Sequence, residues 1–361
     1  MTSPVQTPQR TEPEGPERYV RGWVGLAVLA VVLVVVIVAG LVLGSVRLPL
    51  ADVVRALFGR PTPPGDWAIM HEVRLPRTIT ATFCGASLGV AGLQMQTLFR
   101  NPLADPFVLG VSSGASLGVA VVVLAAGSSG VVAFASGLGL AGDLTSVAAA
   151  CIGAGVVMTA VLAAGRVVRS SNTLLLLGVM LSYLVAAGVT VLLAGASPLR
   201  VQQFVEWGFG SFEGVSWPDL HVLVPVLALG LAASAASIKP LNALLLGERY
   251  AATMGIRVRQ TRVFLIATCS ILAGTVTAFA GPIWFLGIAV PHVARSVLRT
   301  ADHRLLVPGC ILIGASMALA ADVLAQLPGE GVLPLNAVNA VLGAPVVIAV
   351  LIRASRRSAQ L

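Results

Sequence analysis

Residues 100–120 read RNPLADPFVLGVSSGASLGVA. A short polar knot with two prolines stands between two apolar runs, and a stripe of Gly, Ser and Ala follows it. Asn101-Pro102 and Asp105-Pro106 are turn and helix-start signals. Asp105 is placed to cap the next helix, with Pro106 at its first position, where a missing N–H costs nothing. The knot therefore reads as a tight reversal between two helices. Beyond it, Gly110, Ser112, Ser113, Gly114, Ser116 and Gly118 supply the small side chains that let helices pack closely in lipid.

The runs on either side are long enough to cross a bilayer, which takes about 20 apolar residues as helix. Such runs recur at 22–44, 78–98, 107–126, 144–164, 174–195, 219–237, 263–281, 283–297, 305–327 and 334–352, the eighth being short and interrupted by Pro291. Hydrophobic residues make up 57% of the 361 and charged residues 11%, where a soluble domain carries about 25% charged. The expected fold is an all-α membrane protein, a polytopic bundle of about ten transmembrane helices. Residues 1–21, rich in Pro, Glu and Arg, read as a disordered tail. The run 22–44 is too long for the apolar core of a signal peptide, so the membrane domain is expected over 22–355, with a short tail at 356–361.

Threading these spans from a cytoplasmic N-terminus puts 17 of the 23 Lys and Arg residues inside. Only Arg47, Arg55, Arg60, Arg74, Arg77 and Arg200 fall outside. That asymmetry obeys the positive-inside rule, and the reverse orientation breaks it. Both termini are then cytoplasmic, and the net charge of +8 is a topology signal, with no nucleic-acid partner implied. The single lysine, Lys239, precedes Pro240, so no Gly-Lys-Ser/Thr phosphate loop is present. Cys84, Cys151, Cys269 and Cys310 fall in apolar runs without paired spacing and read as small buried hydrophobes. His71, His221, His292 and His303 show no metal-ligand spacing. Asp322 is the clear acid inside a span. Ionised near a helix centre it would cost about 2.5–3.5 kcal/mol, whereas near the outer end it would cap or pair. A proton or sodium relay normally uses several such groups, which weighs against an ion-coupled carrier.

Two loops carry further signal. In 46–58, VRLPLADVVRALF, the residues Leu50, Val53, Val54, Leu57 and Phe58 share a helical stripe opposite Asp52 and Arg55, as in a short helix lying along an interface. In 240–262, PLNALLLGERYAATMGIRVRQTR, helical spacing runs up to Gly255, a C-cap residue. Two short helices there would form a docking knob on the cytoplasmic face. The triplet Gly-Ala-Ser recurs at Gly85, Gly114 and Gly314, a hint of internal repetition.

Four segments together resemble the FecCD family of ABC-transporter permeases: RLPRTITATFCGASLGVAGLQMQTLFRNPLADPFVLGVSSGASLG at 74–118, LGERYAATMGI at 246–256, AGPIWFLGIAVPHVARSVLRTADHRLLVPG at 280–309 and LGAPVVIAVLIR at 342–353. The resemblance spans about residues 22–355. It implies ten helices per subunit, a second permease subunit (identical or a paralogue), two cytoplasmic ATPase subunits holding ATP and Mg, and an extracytoplasmic binding protein. It also implies residence in the bacterial inner membrane, with no cofactor in this chain and no catalysis by it. Carried onto this sequence, it implies that Gly247, Glu248, Ala251 and Gly255 couple to the ATPase. Ser171 and Asn172, in the RSSN turn at 169–172, would narrow the cytoplasmic end, and Arg74 and Arg77 would meet acidic residues of the binding protein. Gln94, Asn101, Pro102, Ser112, Ser113 and Gly114 are expected along the pathway or in helix packing. Met254 stands where the family usually has Leu, Gln326 where the cobalamin type has a basic residue, and Pro334-Leu335-Asn336 where many members have Pro-Ile/Val-Gly. The last of these leans toward the siderophore type.

The function expected is the membrane subunit of an ATP-driven importer that passes a ferric siderophore, iron already wrapped, by alternating access. Haem or cobalamin import by the same family is the alternative. An ion-coupled carrier and a non-transporting scaffold are more distant rivals.

Overall fold

The computed structural model describes residues 16–44, 46, 48–60, 63–125, 143–168, 171–327 and 331–358, and among them every regular element is helical. Ten principal helices answer the ten apolar runs: α1 Pro16–Val42, α2 Leu75–Leu98, α3 Val111–Ala125, α4 Asp143–Val167, α5 Ser171–Ala194, α6 Trp217–Ala236, α7 Val258–Ala280, α8 Leu286–Leu298, α9 His303–Gln326 and α10 Leu335–Ser358. Six of them (α1, α4, α5, α6, α7 and α9) are long and apolar enough to cross a membrane by length and composition. Shorter apolar stretches lie in α3, α8 and α10.

Helix α2 is the exception that organises the rest. It packs against α6, α7, α8 and α9, and it is buried along almost its whole length. A helix wrapped in protein has no need of a uniformly apolar surface, provided its polar groups are bonded. Thr80 Oγ1 donates to Pro76 O at 2.8 Å and Thr97 Oγ1 to Leu93 O at 2.8 Å. Gln94 Oε1 accepts from Thr268 Oγ1 at 3.2 Å, and Gln96 Nε2 donates to Ile288 O at 3.2 Å.

Close backbone approach fixes the crossings. A Cβ on Gly85 would strike Gly314 O, and one on Gly314 would strike Gly85 O, so α2 and α9 touch main chain to main chain. Gly114 and Gly153 do the same between α3 and α4. Small residues at such points let dispersion contacts accumulate where lipid offers no hydrophobic drive for helix association. Two of the three Gly-Ala-Ser triplets thus face each other across one crossing.

Several boundaries differ from the sequence expectation. Helix α1 reaches back to Pro16, into the segment expected as a disordered tail, because its apolar run carries helix past the charged residues; residues 1–15 lie outside the described part. A π-helical turn, Ile69–Arg74, precedes α2. The third run does not start as α-helix at 107. Pro106–Leu109 form a 3₁₀ turn, Gly110 adopts φ 81°, and α3 begins only at Val111. The short interfacial helix expected in 46–58 is Leu50–Leu57, but it buries Val53 and Ala56 and leaves Leu50, Val54, Leu57 and Phe58 exposed.

Candidate functional site

At one end of the bundle, called here the platform end, lie the two short helices expected within 240–262: Ile238–Leu245 and Glu248–Thr253. Gly247 joins them at φ 108°, a backbone conformation open to glycine and strained for other residues. Gly255, at φ 82°, closes the second helix; Gly255 N–H bonds Ala252 O and Ile256 N–H bonds Ala251 O, both at 3.0 Å. Ala251 is buried beneath that helix, and Glu248 Oε1 accepts from Arg262 Nη2 at 3.0 Å. An open groove of about 970 Å³ runs beside the pair, walled by Arg100 and Asn101 on one side and Gly247, Glu248 and Tyr250 on the other. The structure therefore brings Asn101 alongside the expected coupling residues.

The platform is tied to the bundle by a network that sequence reading missed. Asn242 Nδ2 donates to Asp302 Oδ1 at 2.6 Å, and Asn242 Oδ1 accepts from His303 N at 2.9 Å. His303 Nδ1 lies 2.7 Å from Asn242 Oδ1, and its Nε2 lies 2.9 Å from Thr97 Oγ1. A helix of the platform, the start of α9 and the end of α2 thus share one hydrogen-bonded cluster. His303 stood alone in the sequence, and no spacing rule links it to Asn242.

The knot keeps its expected local chemistry. Leu103 N donates to Asn101 Oδ1 at 2.9 Å, Pro102 O meets His292 Nε2 at 2.8 Å, and Phe107 N donates to Asp105 Oδ1 at 2.8 Å. Ser112 is buried, Gly114 is a packing residue, and Ser113 lines a cavity of about 410 Å³ with Asp105, Ser182, Tyr183 and Trp284. Gln94 is buried between α2 and α7 through its bond to Thr268. Ser171 and Asn172 open α5, and their side chains, like residues 169–170, lie outside the described part.

At the opposite, rim end lie Arg74 and Arg77, expected as outward arginines that meet acidic residues of the binding protein; both side chains are turned into the bundle. Arg74 and Arg77 are each only 7% exposed. Arg74 Nη1 and Nη2 donate to Leu41 O and Val46 O. Arg77 Nε donates to both oxygens of Asp322, at 2.9 and 2.8 Å, and its Nη2 lies 2.7 Å from Asp322 Oδ1. Arg77 Nη1 pairs with Glu213, which is 44% exposed. Gln326 Nε2 adds a bond to Asp322 Oδ2 at 3.1 Å. A guanidinium at this depth needs acceptors, and the chain supplies them from the end of α1, Val46, α9 and the 209–216 loop. Close by, Asn336 acts as a hub. Its Nδ2 donates to Gly208 O at 3.2 Å and Pro282 O at 2.7 Å, its Oδ1 accepts from Trp284 N at 3.0 Å, and its own N–H bonds Phe209 O at 3.2 Å.

Comparison with known proteins places this architecture. The family model of the FecCD transport family matches residues 32–353. The vitamin B12 import system permease protein BtuC of an Escherichia coli strain is 37% identical over 303 residues, covering 81% of this chain and 88% of that protein. BtuC of Shigella sonnei matches with the same identity and coverage. Among solved structures, an inward-facing metal-chelate type ABC transporter superposes with a TM-score of 0.78 at 26% identity, covering 91% of this chain and 98% of that one.

Proposed function

The chain belongs to the FecCD transport family, and on that footing we propose that it is the membrane subunit through which an ATP-driven importer passes a bulky metal chelate. The platform end faces the cytoplasm, as the basic asymmetry of the loops supports, and both termini lie on that side. One ATPase subunit receives the Glu248–Thr253 projection of this chain in a groove of its own, and a second ATPase does the same for the second permease subunit. ATP binding and hydrolysis on the ATPases move the platform. A second permease subunit completes the pathway. An extracytoplasmic binding protein docks on the rim, where Arg74 and Arg77 act by holding the rim's shape, with Glu213 as the exposed member of the cluster.

The single observation that carries this reading is the two-helix platform. Positive-φ glycines and a buried pivot at Ala251 shape a rigid two-helix projection around an open cleft at the basic end. Rigid projections into partner clefts are how membrane subunits receive a push, and alternating access follows from rocking the bundle around a fixed interior.

The cargo is a chelate whose metal is already enclosed. Among the described residues no three His, Cys, Asp or Glu side chains gather into a metal-holding group, which suits a cargo that brings its own ligands. Two classes fit: a ferric siderophore, favoured by Pro334-Leu335-Asn336, and cobalamin, favoured by the names of the BtuC relatives. Uptake of radiolabelled cyanocobalamin, of radio-iron siderophore and of free radio-iron salt, in cells with and without this gene, decides between them. Loss of neither, or loss only of free iron uptake, overturns the reading.

A further inference from the structure

Asp105 sits where two discontinuous helices begin. Gly110, just after it in the chain, packs against Gly178 O and Ser182 Oγ, near the middle of the 24-residue α5. The knot that leaves α2 at Arg100 has therefore climbed to mid-helix depth by residue 110. Helix α3, with 15 residues, starts there, and α8, with 13, starts beside it at Leu286. At 1.5 Å per residue each spans about 20 Å, less than the hydrocarbon thickness of about 30 Å. A Cβ on Gly287 would lie 3.1 Å from Asp105 Oδ2, so the carboxyl abuts the first turn of α8.

The bonding of that carboxyl is one-sided. Oδ1 accepts from Phe107 N–H, whereas Oδ2 has no hydrogen bond among the described residues. Asp105 also takes part in none of the ion pairs found there. On α8, Arg295 is committed to Gln96 Oε1 at 2.7 Å and His292 Nε2 lies 2.8 Å from Pro102 O. The side chain is 7% exposed and borders the cavity of about 410 Å³ with Ser113, Ser182, Tyr183 and Trp284. Tyr183 and Trp284 are 69% and 54% exposed, so they form the mouth of this cavity. The volume lies in the range of small-molecule sites and holds one edge of a large chelate.

We propose, resting on the import reading above, that this niche is a cargo contact within the pathway that takes hydrogen-bond donors. It favours neutral or cationic cargo carrying amide or hydroxyl groups and disfavours polyanionic chelates. An unpaired acid at membrane depth is costly, and a passing amide N–H relieves that cost without gripping the cargo. A trianionic chelate meets the same oxygen with its own charge and raises the barrier. The cap alone would be served equally by asparagine, so the Asp105→Asn variant keeps the cap and removes the charge.

The test uses the whole complex (permease pair, ATPases and binding protein) in liposomes. The probes are radiolabelled cyanocobalamin, a neutral radio-iron trihydroxamate and a radio-iron tris-catecholate trianion. Asp105→Asn slows uptake of the neutral probe that the wild type carries by about tenfold, the size of one hydrogen bond to a charged group. Docking of the binding protein and basal ATP hydrolysis stay unchanged, and Asp105→Glu retains most of the rate. Tyr183→Phe and Ser182→Ala, which lie away from the cap, each slow uptake roughly threefold, and they decide the matter if Asp105→Asn fails to assemble. Wild-type uptake rates in all these variants, or wild-type uptake of the trianion as fast as of the neutral probes, overturn the niche and leave the import reading standing. No uptake of any probe by the intact wild-type complex overturns the import reading, and the niche falls with it.

Discussion

Gly85 and Gly314 stand backbone against backbone at the crossing of α2 and α9, each filling the space the other's Cβ would need. That contact sets how closely the central helix lies to its most extensive neighbour, so added volume there has nowhere to go. Gly85→Val or Gly314→Val should therefore prevent a monodisperse folded protein from being recovered. Gly85→Ala should cost about 1–3 kcal/mol, the range for overpacking. Gly155, with nothing within 4 Å of its would-be Cβ, is the control, and Gly155→Ala should leave the melting temperature in detergent unchanged or slightly raised. Equal effects at the two sites would remove the crossing from the list of determinants.

The Arg77–Asp322 pair is buried on both sides. Removing Arg77 leaves the buried Asp322 without a cation, so Arg77→Gln should destabilise by about 3–5 kcal/mol, whereas Asp322→Asn leaves Arg77 its Glu213 partner and should cost less. Replacing both with Leu should recover most of that loss, because a well-packed apolar pair is often no worse than a buried ion pair. Thermal unfolding of the single and double variants gives the coupling directly, and additive losses would mean that the two residues act independently.

At the platform, Glu248→Arg sets two cations against each other where Glu248 now meets Arg262 and reverses a charge lining the groove. Gly255→Pro forces φ from 82° to the proline value. Both variants should insert into membrane normally yet fail to co-purify with the ATPase subunits and fail to support uptake. Normal ATPase retention in both would move the docking site elsewhere.

Asn242→Ala cuts the link between the platform helix, Asp302 and His303. Leaving buried partners unbonded should cost about 1–3 kcal/mol. On the import reading, ATP hydrolysis should continue while cargo moved per ATP falls, as expected for a slack linkage. The ratio of uptake to hydrolysis in liposomes measures this, and an unchanged ratio with lowered stability would reduce the cluster to structural support.

Much of this architecture was open to sequence reading because the bilayer constrains it so tightly. Ten apolar runs became ten helices, and Asp105, Gly255 and the two short helices after residue 237 took their expected local forms, since caps and turns depend on neighbours in the chain. What distance in the chain conceals was missed. Arg77 and Asp322 are 245 positions apart, and although Asp322 read as an acid that would pair or cap, its partner read as an outward docking charge. The height of the 100–106 knot was also hidden, because a polar proline-rich turn looks the same at a membrane surface as beside a buried α8. Asn336 registered only as a departure from the family pattern, and the four-bond hub it forms depends on segments from two other places in the chain, 208–209 and 282–284.

That hub constrains movement. One amide stitches the end of the 198–208 helix, the 281–284 break and the start of α10 into a single piece. Neither the 208–209 nor the 282–284 segment can peel away without breaking its bonds to Asn336, so the rim end travels as a lever and does not flap. The starts of α3 and α8, at the positive-φ residues Gly110 and Phe285, take none of these bonds to Asn336. Amide exchange should then report the stitched loops opening together, as one slow unit, and unrelated rates in them would remove the hub.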